Sequence, residues 1–176
     1  RAATAQCLCR CVPSRAGPSQ QLVCVEQRRI AILEAHGTYA TRLWHSSVVL
    51  SRWLASNAAA FDGRTVLELG CGTGLCSLTL AAASRAHVVA SDEDEAGLAL
   101  LRRSAEQQAL PLETCHFDVC GNAPLPAADW LVASDVCYTP QLADALARRC
   151  VEILARGGCA LVADPGRPTR RLFQAV

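Results

Sequence analysis

The stretch Val66-Leu67-Glu68-Leu69-Gly70-Cys71-Gly72-Thr73-Gly74 constrains this chain more than any other. An apolar run reaches an acidic residue and then meets a glycine at every second position. Such a pattern is a strand feeding a tight turn, because glycine tolerates the positive φ angles of the turn and lets a ligand approach the backbone closely. A second apolar run, His87 to Ala90, closes on Ser91-Asp92. A glycine-rich turn after one strand and an acid at the tip of the next suit a nucleoside bound to an α/β sheet. Asp92 is then placed to accept hydrogen bonds from the two ribose hydroxyls.

The spacing separates two kinds of nucleoside. Dinucleotide sites read Gly-x-Gly-x-x-Gly, so that a helix N-terminus meets a pyrophosphate. This chain reads Glu-x-Gly-x-Gly-x-Gly and puts the carboxylate of Glu68 inside the turn. A carboxylate repels a diphosphate and suits a cation. S-adenosyl-L-methionine carries a sulfonium and an ammonium and no phosphate, so it is the expected cofactor.

Beyond the turn, strand and helix signals alternate. Strands are predicted at Thr65–Leu69, His87–Ala90, Leu112–Phe117, Trp130–Ser134 and Cys159–Ala163, and helices at Leu75–Ser84, Glu95–Gln108 and Gln141–Ala155. Gly157-Gly158 ends the last helix as a C-terminal glycine does. Repeated β-α units with short connections imply a mostly parallel, doubly wound Rossmann-like sheet with helices on both faces. Residues 61–176 are read as this core. Residues 21–60 are read as an extension: a hairpin of Leu22–Val25 and Ile30–Leu33, then an amphipathic helix over Leu43–Ala55. Residues 1–20, with Pro13, Gly17 and Pro18, are read as a disordered tail.

Composition narrows the function classes. A length of 176 residues suits one domain with a proper core. The net charge of +1 gives no bulk attraction toward nucleic acid or an anionic membrane, and aromatic residues at 5% are too few for a base-stacking platform. No apolar run reaches the roughly 18 residues of a membrane span. A monomer with neither nucleic acid nor membrane as partner is expected. The 11 cysteines are mostly read as buried, reduced thiols. Cys7, Cys9 and Cys11 lack the second ligand pair of a zinc site, so no metal is expected. Residues 1–25 hold arginine and serine but no acid, as organelle transit peptides do. A plain tail and a cytoplasmic location are preferred; a mitochondrial or plastid one is the alternative.

Ligands of doubly wound sheets sit at the carboxyl ends of the strands. Those ends carry Glu68 with Gly70, Gly72 and Gly74; then Asp92; then Asp118, a candidate acceptor for the adenine amino group; then Ala133 followed by Asp135 and Tyr138; then Asp164 to Pro168. Glu93, Asp94 and Glu95 suit the N-terminus of the next helix. Asp135 and Tyr138 are the candidate catalytic pair, holding an acceptor amine where the methyl group would lie. His36, His45, His87 and His116 are scattered and form no nucleophile–histidine–acid set. Methyl transfer needs none, because alignment supplies most of the acceleration.

These residues resemble the seven-β-strand S-adenosylmethionine-dependent methyltransferases, and within them the protein lysine methyltransferases of methyltransferase family 16. The likeness covers roughly residues 22–175. Three stretches carry it: Gly37 to Leu50, Val66 to Leu75, and Asp135-Val136-Cys137-Tyr138, which matches the Asp-x-x-Tyr/Phe pattern of that group. The resemblance implies a class I methyltransferase fold, a cofactor-covering role for Trp44, and an acceptor channel lined by Asp135 and Tyr138. Ala163-Asp164-Pro165-Gly166-Arg167-Pro168 is similar to the electron-transfer flavoprotein β-subunit lysine methyltransferases, whereas the Trp44 segment is more like cytosolic relatives. The family's sheet has seven strands, and this sequence stops after the fifth, so the fold is expected to be truncated there.

Lysine N-methylation of a protein is the function expected on these grounds. Alternatives are an arginine or small-molecule methyltransferase, an NAD(P)-dependent oxidoreductase, and a truncated cofactor-binding module without activity.

Overall fold

The computed structural model describes residues 11–12 and 17–174. A three-stranded antiparallel sheet comes first: β1 (Cys11–Val12), β2 (Ser19–Val25) and β3 (Arg28–Glu34). Most of the expected tail lies outside the described residues, but Cys11–Val12 and Ser19–Gln20 within it are strand. The hairpin is also longer than the apolar quartets suggested. Its polar ends hold their partners through backbone pairing, which a hydrophobic pattern does not report.

The chain then runs through a short 3₁₀ turn at Tyr39–Thr41 into α1 (His45–Ser56). The core alternates β4 (Thr65–Leu69), α2 (Leu75–Ala83), β5 (His87–Asp92), α3 (Glu95–Gln107), β6 (Glu113–His116), β7 (Trp130–Ser134), α4 (Pro140–Ala155), β8 (Cys159–Ala163) and the short α5 (Arg170–Phe173). The strand order is β6-β5-β4-β7-β8, and every pairing is parallel. From β4 the chain steps outward to β5 and β6, then returns to the other side of β4 for β7 and β8. That reversal opens a crevice between the carboxyl ends of β4 and β7, the ligand site of doubly wound sheets.

The two-residue period of the strands assigns the layers. Leu67, Leu69, Leu131 and Ala133 pack toward α4 through Leu146, Cys150 and Ile153. Val66, Val88 and Val132 face the other way, onto Leu50 and Leu54 of α1 and Cys76 and Leu80 of α2. Glu68 shares the parity of Val66 and so falls on the α2 face. The hairpin closes this side, with Val23, Val25, Ile30 and Ile32 packed against Leu98 and Leu101 of α3. Polar contacts fix it there. The β3 backbone N–H groups of Ala31 and Leu33 donate to Gln108 and Ser104 at 2.9 and 3.0 Å.

Helix α1 differs from its expected pattern. It starts at His45, and it buries Ser46, Ser47, Leu50, Ser51 and Leu54. Val49 and Trp53 are exposed. Small serines let α1 lie close against α2, and Ser51 Oγ reaches Cys76 Sγ at 3.6 Å. Helix α4 is capped by Thr139, whose hydroxyl accepts from the Leu142 N–H, with Pro140 at its first turn. Gly157, at φ +79°, follows its end. Among the described residues no helix is long and apolar enough to cross a membrane.

Candidate functional site

The glycine loop after β4 is held from three sides. Cys71 N–H donates to the Ser91 carbonyl at 2.9 Å, and Gly74 N–H to the Cys71 carbonyl at 2.8 Å. Gly70 and Gly74 have φ of +65° and +76°. A Cβ at Gly70 would lie 2.8 Å from Val136 Cγ2, and one at Gly74 would lie 2.2 Å from Leu101 Cδ1. Both positions therefore need glycine for conformation and for space.

Glu68 is buried beneath this loop at 1% exposure. One carboxylate oxygen accepts from the Ser77 backbone N–H at 2.9 Å and from the Ser77 hydroxyl at 2.5 Å. Burial pushes its carboxyl up to about 7, against the lowering effect of those two bonds. The acid thus satisfies one orphan N–H group at the start of α2, as a capping side chain does.

A cavity opens above the loop, lined by Gly70 and Gly72 of that loop and by Asp92 at the end of β5 with Glu93 just past it. Asp92 is 8% exposed. One of its oxygens accepts from Gly72 N–H at 2.8 Å and the other from Asp94 N–H at 2.9 Å. The carboxylate is thereby fixed with lone pairs left for a ligand. Burial raises its pKa, and the two backbone bonds oppose that rise. The helix cap is the neighbouring Asp94, which accepts from Ala96 and Gly97 N–H.

Phe117 and Val119 line the cavity from beyond β6, Ser134 from the end of β7, Asp135, Val136 and Tyr138 from the loop after it, and Leu142 from the start of α4. Asp135 is 8% exposed and has φ +60°, an uncommon conformation that aspartate tolerates better than most residues. Its Oδ1 accepts from Arg167 Nε at 2.6 Å, with Arg167 Nη2 also at 2.6 Å, and its Oδ2 accepts from Ser46 Oγ at 3.5 Å. Tyr138 is 45% exposed at the mouth. Partial burial raises its hydroxyl pKa, and the Glu93 and Asp92 carboxylates add to the rise.

The 3₁₀ turn covers the cavity with Tyr39 and Ala40, and Trp44 adjoins it. Trp44 Nε1 donates to the Tyr39 carbonyl at 3.0 Å. The Tyr39 ring lies 5.8 Å from Trp44 and 6.1 Å from Tyr138. Thr38 bonds to Asp94 and holds its carboxyl below the usual range, which ties this cover to the start of α3.

Of the residues expected at a site, Trp44, Gly70, Gly72, Asp92, Asp135 and Tyr138 line one cavity. Glu68, Gly74, Asp118 and Ala133 do not. Strand parity turns Glu68 to the helix side. Gly74 begins α2 and packs on Leu101. Asp118 folds back to accept from Cys120 N–H at 2.8 Å. Ala133 is fully buried against α4. Glu93, expected at the helix end, faces the cavity instead. Ser134 lines it too, as its place at the carboxyl end of the predicted strand suggested; Tyr39 and Phe117 were not expected there, and of these Phe117, as the last apolar residue of its run, had a sequence signal. The Cys7–Cys11 cluster lies outside the residues with described side chains.

The lining carries three carboxylates, Asp92, Glu93 and Asp135, and no arginine, lysine or histidine. Asp135 is paired with Arg167 from behind, so Asp92 and Glu93 set the sign of the charge, which attracts a cation and repels phosphate. The lining fits S-adenosylmethionine on charge, and Phe117, Val119 and Leu142 add apolar wall for a purine.

Comparison with known proteins agrees with the fold. The 16S rRNA N2 G1207 methyltransferase RsmC of T. Thermophilus superposes with a TM-score of 0.73 at 22% identity, covering 93% of this chain and 47% of that one. The electron transfer flavoprotein beta subunit lysine methyltransferase of Danio rerio is 29% identical over 127 residues, 70% of this chain and 48% of the relative. The protein-lysine N-methyltransferase EEF2KMT of Mus musculus is 30% identical over 132 residues, 65% of this chain and 39% of the relative. The chain thus spans about half or less of the length of these curated relatives. A family model described as lysine methyltransferase matches residues 25–171. With a class I methyltransferase fold and that match over most of its length, the chain belongs to the lysine methyltransferase family 16.

Proposed function

We propose that this protein transfers a methyl group from S-adenosylmethionine to the side-chain nitrogen of a lysine in a protein substrate. The single observation that carries this reading is the cavity at the β4–β7 switch point, lined by Asp92 and Glu93 on one wall and Asp135 on the other, with no basic side chain in its lining. When bound, the cofactor supplies a methyl group on a positively charged sulfur; the acceptor nitrogen's lone pair takes the methyl carbon and the C–S electron pair stays with sulfur.

The chain's own residues divide the work. Asp92 accepts from the ribose hydroxyls. Gly70 and Gly72 leave room for the ligand's backbone-side edge, and Trp44 with the Tyr39–Thr41 turn covers it. Glu68 and Gly74 hold the loop in shape from behind. Phe117, rather than Asp118 or Ala133, supplies contact for the base. Asp135 and Tyr138 receive the acceptor amine and line it up for attack, the main source of rate in a displacement of this kind. Residues 61–174 form the cofactor-binding core, and 21–60 the extension that covers it. A cytoplasmic monomer is part of the same reading.

The test is label transfer. The protein is incubated with S-adenosylmethionine carrying a labelled methyl group and dialysed cell lysate, and the labelled residues are identified by mass spectrometry. Label on lysine supports the reading; label only on arginine or in small metabolites overturns it.

A further inference from the structure

The Asp164–Pro168 loop after β8 brings a positive charge to the back of the site. Asp135 N–H donates to the Ala163 carbonyl at 2.9 Å, which sets the two strand tips side by side. Asp164 Oδ1 accepts from the N–H groups of Gly166 and Arg167 at 2.7 and 2.8 Å, so the loop is folded on itself. The Thr169 hydroxyl donates to the Cys137 carbonyl and pins its far end to the β7 loop. In this frame Arg167 Nε and Nη2 converge on the same oxygen of Asp135 at 2.6 Å. The Asp135 side chain is 7% exposed and that of Arg167 31%. Arg167 does not line the cavity; Asp135 does.

We propose that Arg167 is a positioning and charge-balancing residue for methyl transfer: it holds Asp135 in place and offsets its charge, so that the acceptor lysine is received without being favoured as the ammonium ion. This inference rests on the lysine-methylation reading above. A bare carboxylate beside an amine raises the amine's pKa. A protonated amine has no lone pair with which to attack. A carboxylate already paired with a guanidinium still accepts a hydrogen bond through Oδ2 but exerts far less pull on the proton, which leaves to water. Arginine suits this task, since it stays charged and presents two donors in a fixed fork. The other ionisable groups around this end of the site are Asp92 and Glu93 on the opposite wall, Tyr138 on the same loop, and Cys137 and Asp164 behind it. The carboxylates among them favour the ammonium, so Arg167 opposes that set as well as Asp135.

The experiment has two readouts on the full chain. The first is calorimetric binding of n-butylammonium to protein loaded with S-adenosylhomocysteine. Arg167→Gln should bind the probe about tenfold more tightly, and Arg167→Lys, which keeps the charge but not the fork, should fall between it and wild type. The second is the pH profile of labelled methyl transfer to lysine in dialysed lysate. For Arg167→Gln the acid limb of kcat should move up by about one pH unit, with KM unchanged or lower, and Arg167→Lys, which keeps the charge but not the fork, should bring it part of the way back. Arg167→Met, which keeps the stem's packing, replaces the glutamine variant if that one does not fold. If the wild type labels lysine while neutral variants leave probe affinity and the kcat profile unmoved, the inference falls and the methylation reading stands. If the wild type transfers no label to lysine, the methylation reading falls and takes the inference with it.

Discussion

Asp92 and Glu68 are two acids on the same face of the sheet with opposite assignments, and the difference comes from where along the strand each sits: Glu68 lies within β4 beneath the glycine loop, and Asp92 ends β5 beside the cavity. Asp92 keeps free lone pairs toward the cavity, so Asp92→Ala should weaken S-adenosylmethionine binding by roughly 1.5–3 kcal/mol, the worth of hydrogen bonds to a charged group. Calorimetry checks this, and an unchanged affinity would remove Asp92 from the site. Glu68 should act on stability instead. Its carboxyl is raised from 4.5 to about 7 in the folded protein, so the folded state holds a proton that the unfolded state has already lost between those values. Stability therefore falls as pH rises through that window, by on the order of 3 kcal/mol if the shift is fully expressed. The melting temperature of the wild type should drop between pH 5 and pH 8, roughly the span of that window, and Glu68→Gln should flatten the drop. Equal pH dependence in the two proteins would show that Glu68 does not titrate there. The acid inside the glycine motif was legible in the sequence; the side of the strand it serves was not, because a motif records order along the chain and not which face each residue meets.

At the scale of elements, the cover over the cavity depends on close packing between the Tyr39–Thr41 turn and α3. A Cβ at Gly97 would sit 2.9 Å from Ala40 Cβ and 3.1 Å from its carbonyl oxygen. Gly97 has ordinary helical backbone, so the substitution strains the contact and not the helix. Gly97→Val should lift the turn, lowering cofactor affinity at least about tenfold while the protein stays folded by circular dichroism. The hairpin offers a second case. Gln108 bonds both the N–H and the carbonyl of Ala31, at 2.9 and 2.7 Å. Gln108→Ala strands those groups and should cost about 1–3 kcal/mol, seen as a lower denaturation midpoint and faster hydrogen exchange in β3. Neither contact was readable in advance. Sequence periodicity located the hairpin, α1 and α3, and each α-β unit fell within a few residues of its expected place. How the elements dock depends on small residues and side-chain amides whose partners lie far along the chain. The serine face of α1 is the plainest example: the apolar Val49 and Trp53 are exposed, and the buried stripe holds three serines.

For the whole molecule, the alternating strands and helices were enough to imply a parallel sheet, and the order β6-β5-β4-β7-β8 then locates the ligand crevice without further information. What one-dimensional order could not supply was convergence. Tyr39, Glu93, Phe117 and Asp135 come from four separate segments and meet only after the crossover between β6 and β7. The same folding brings Arg167 against Asp135, 32 positions away in the chain. On this account the cavity binds cofactor and acceptor through different walls, so Asp135→Asn should leave S-adenosylmethionine affinity within about twofold of wild type while methyl transfer falls at least a hundredfold, more than roughly 2.7 kcal/mol in the barrier. Loss of both together would mean that the two walls are one.

The most direct test of protein-lysine methylation is residue-level mass spectrometry after incubation of the protein with deuterated-methyl S-adenosylmethionine and cell lysate. Deuterated methyl groups on lysine side chains, absent with Asp135→Asn, are the predicted result. A protein that binds the cofactor and yet marks no lysine, or marks it equally well without Asp135, would contradict the account.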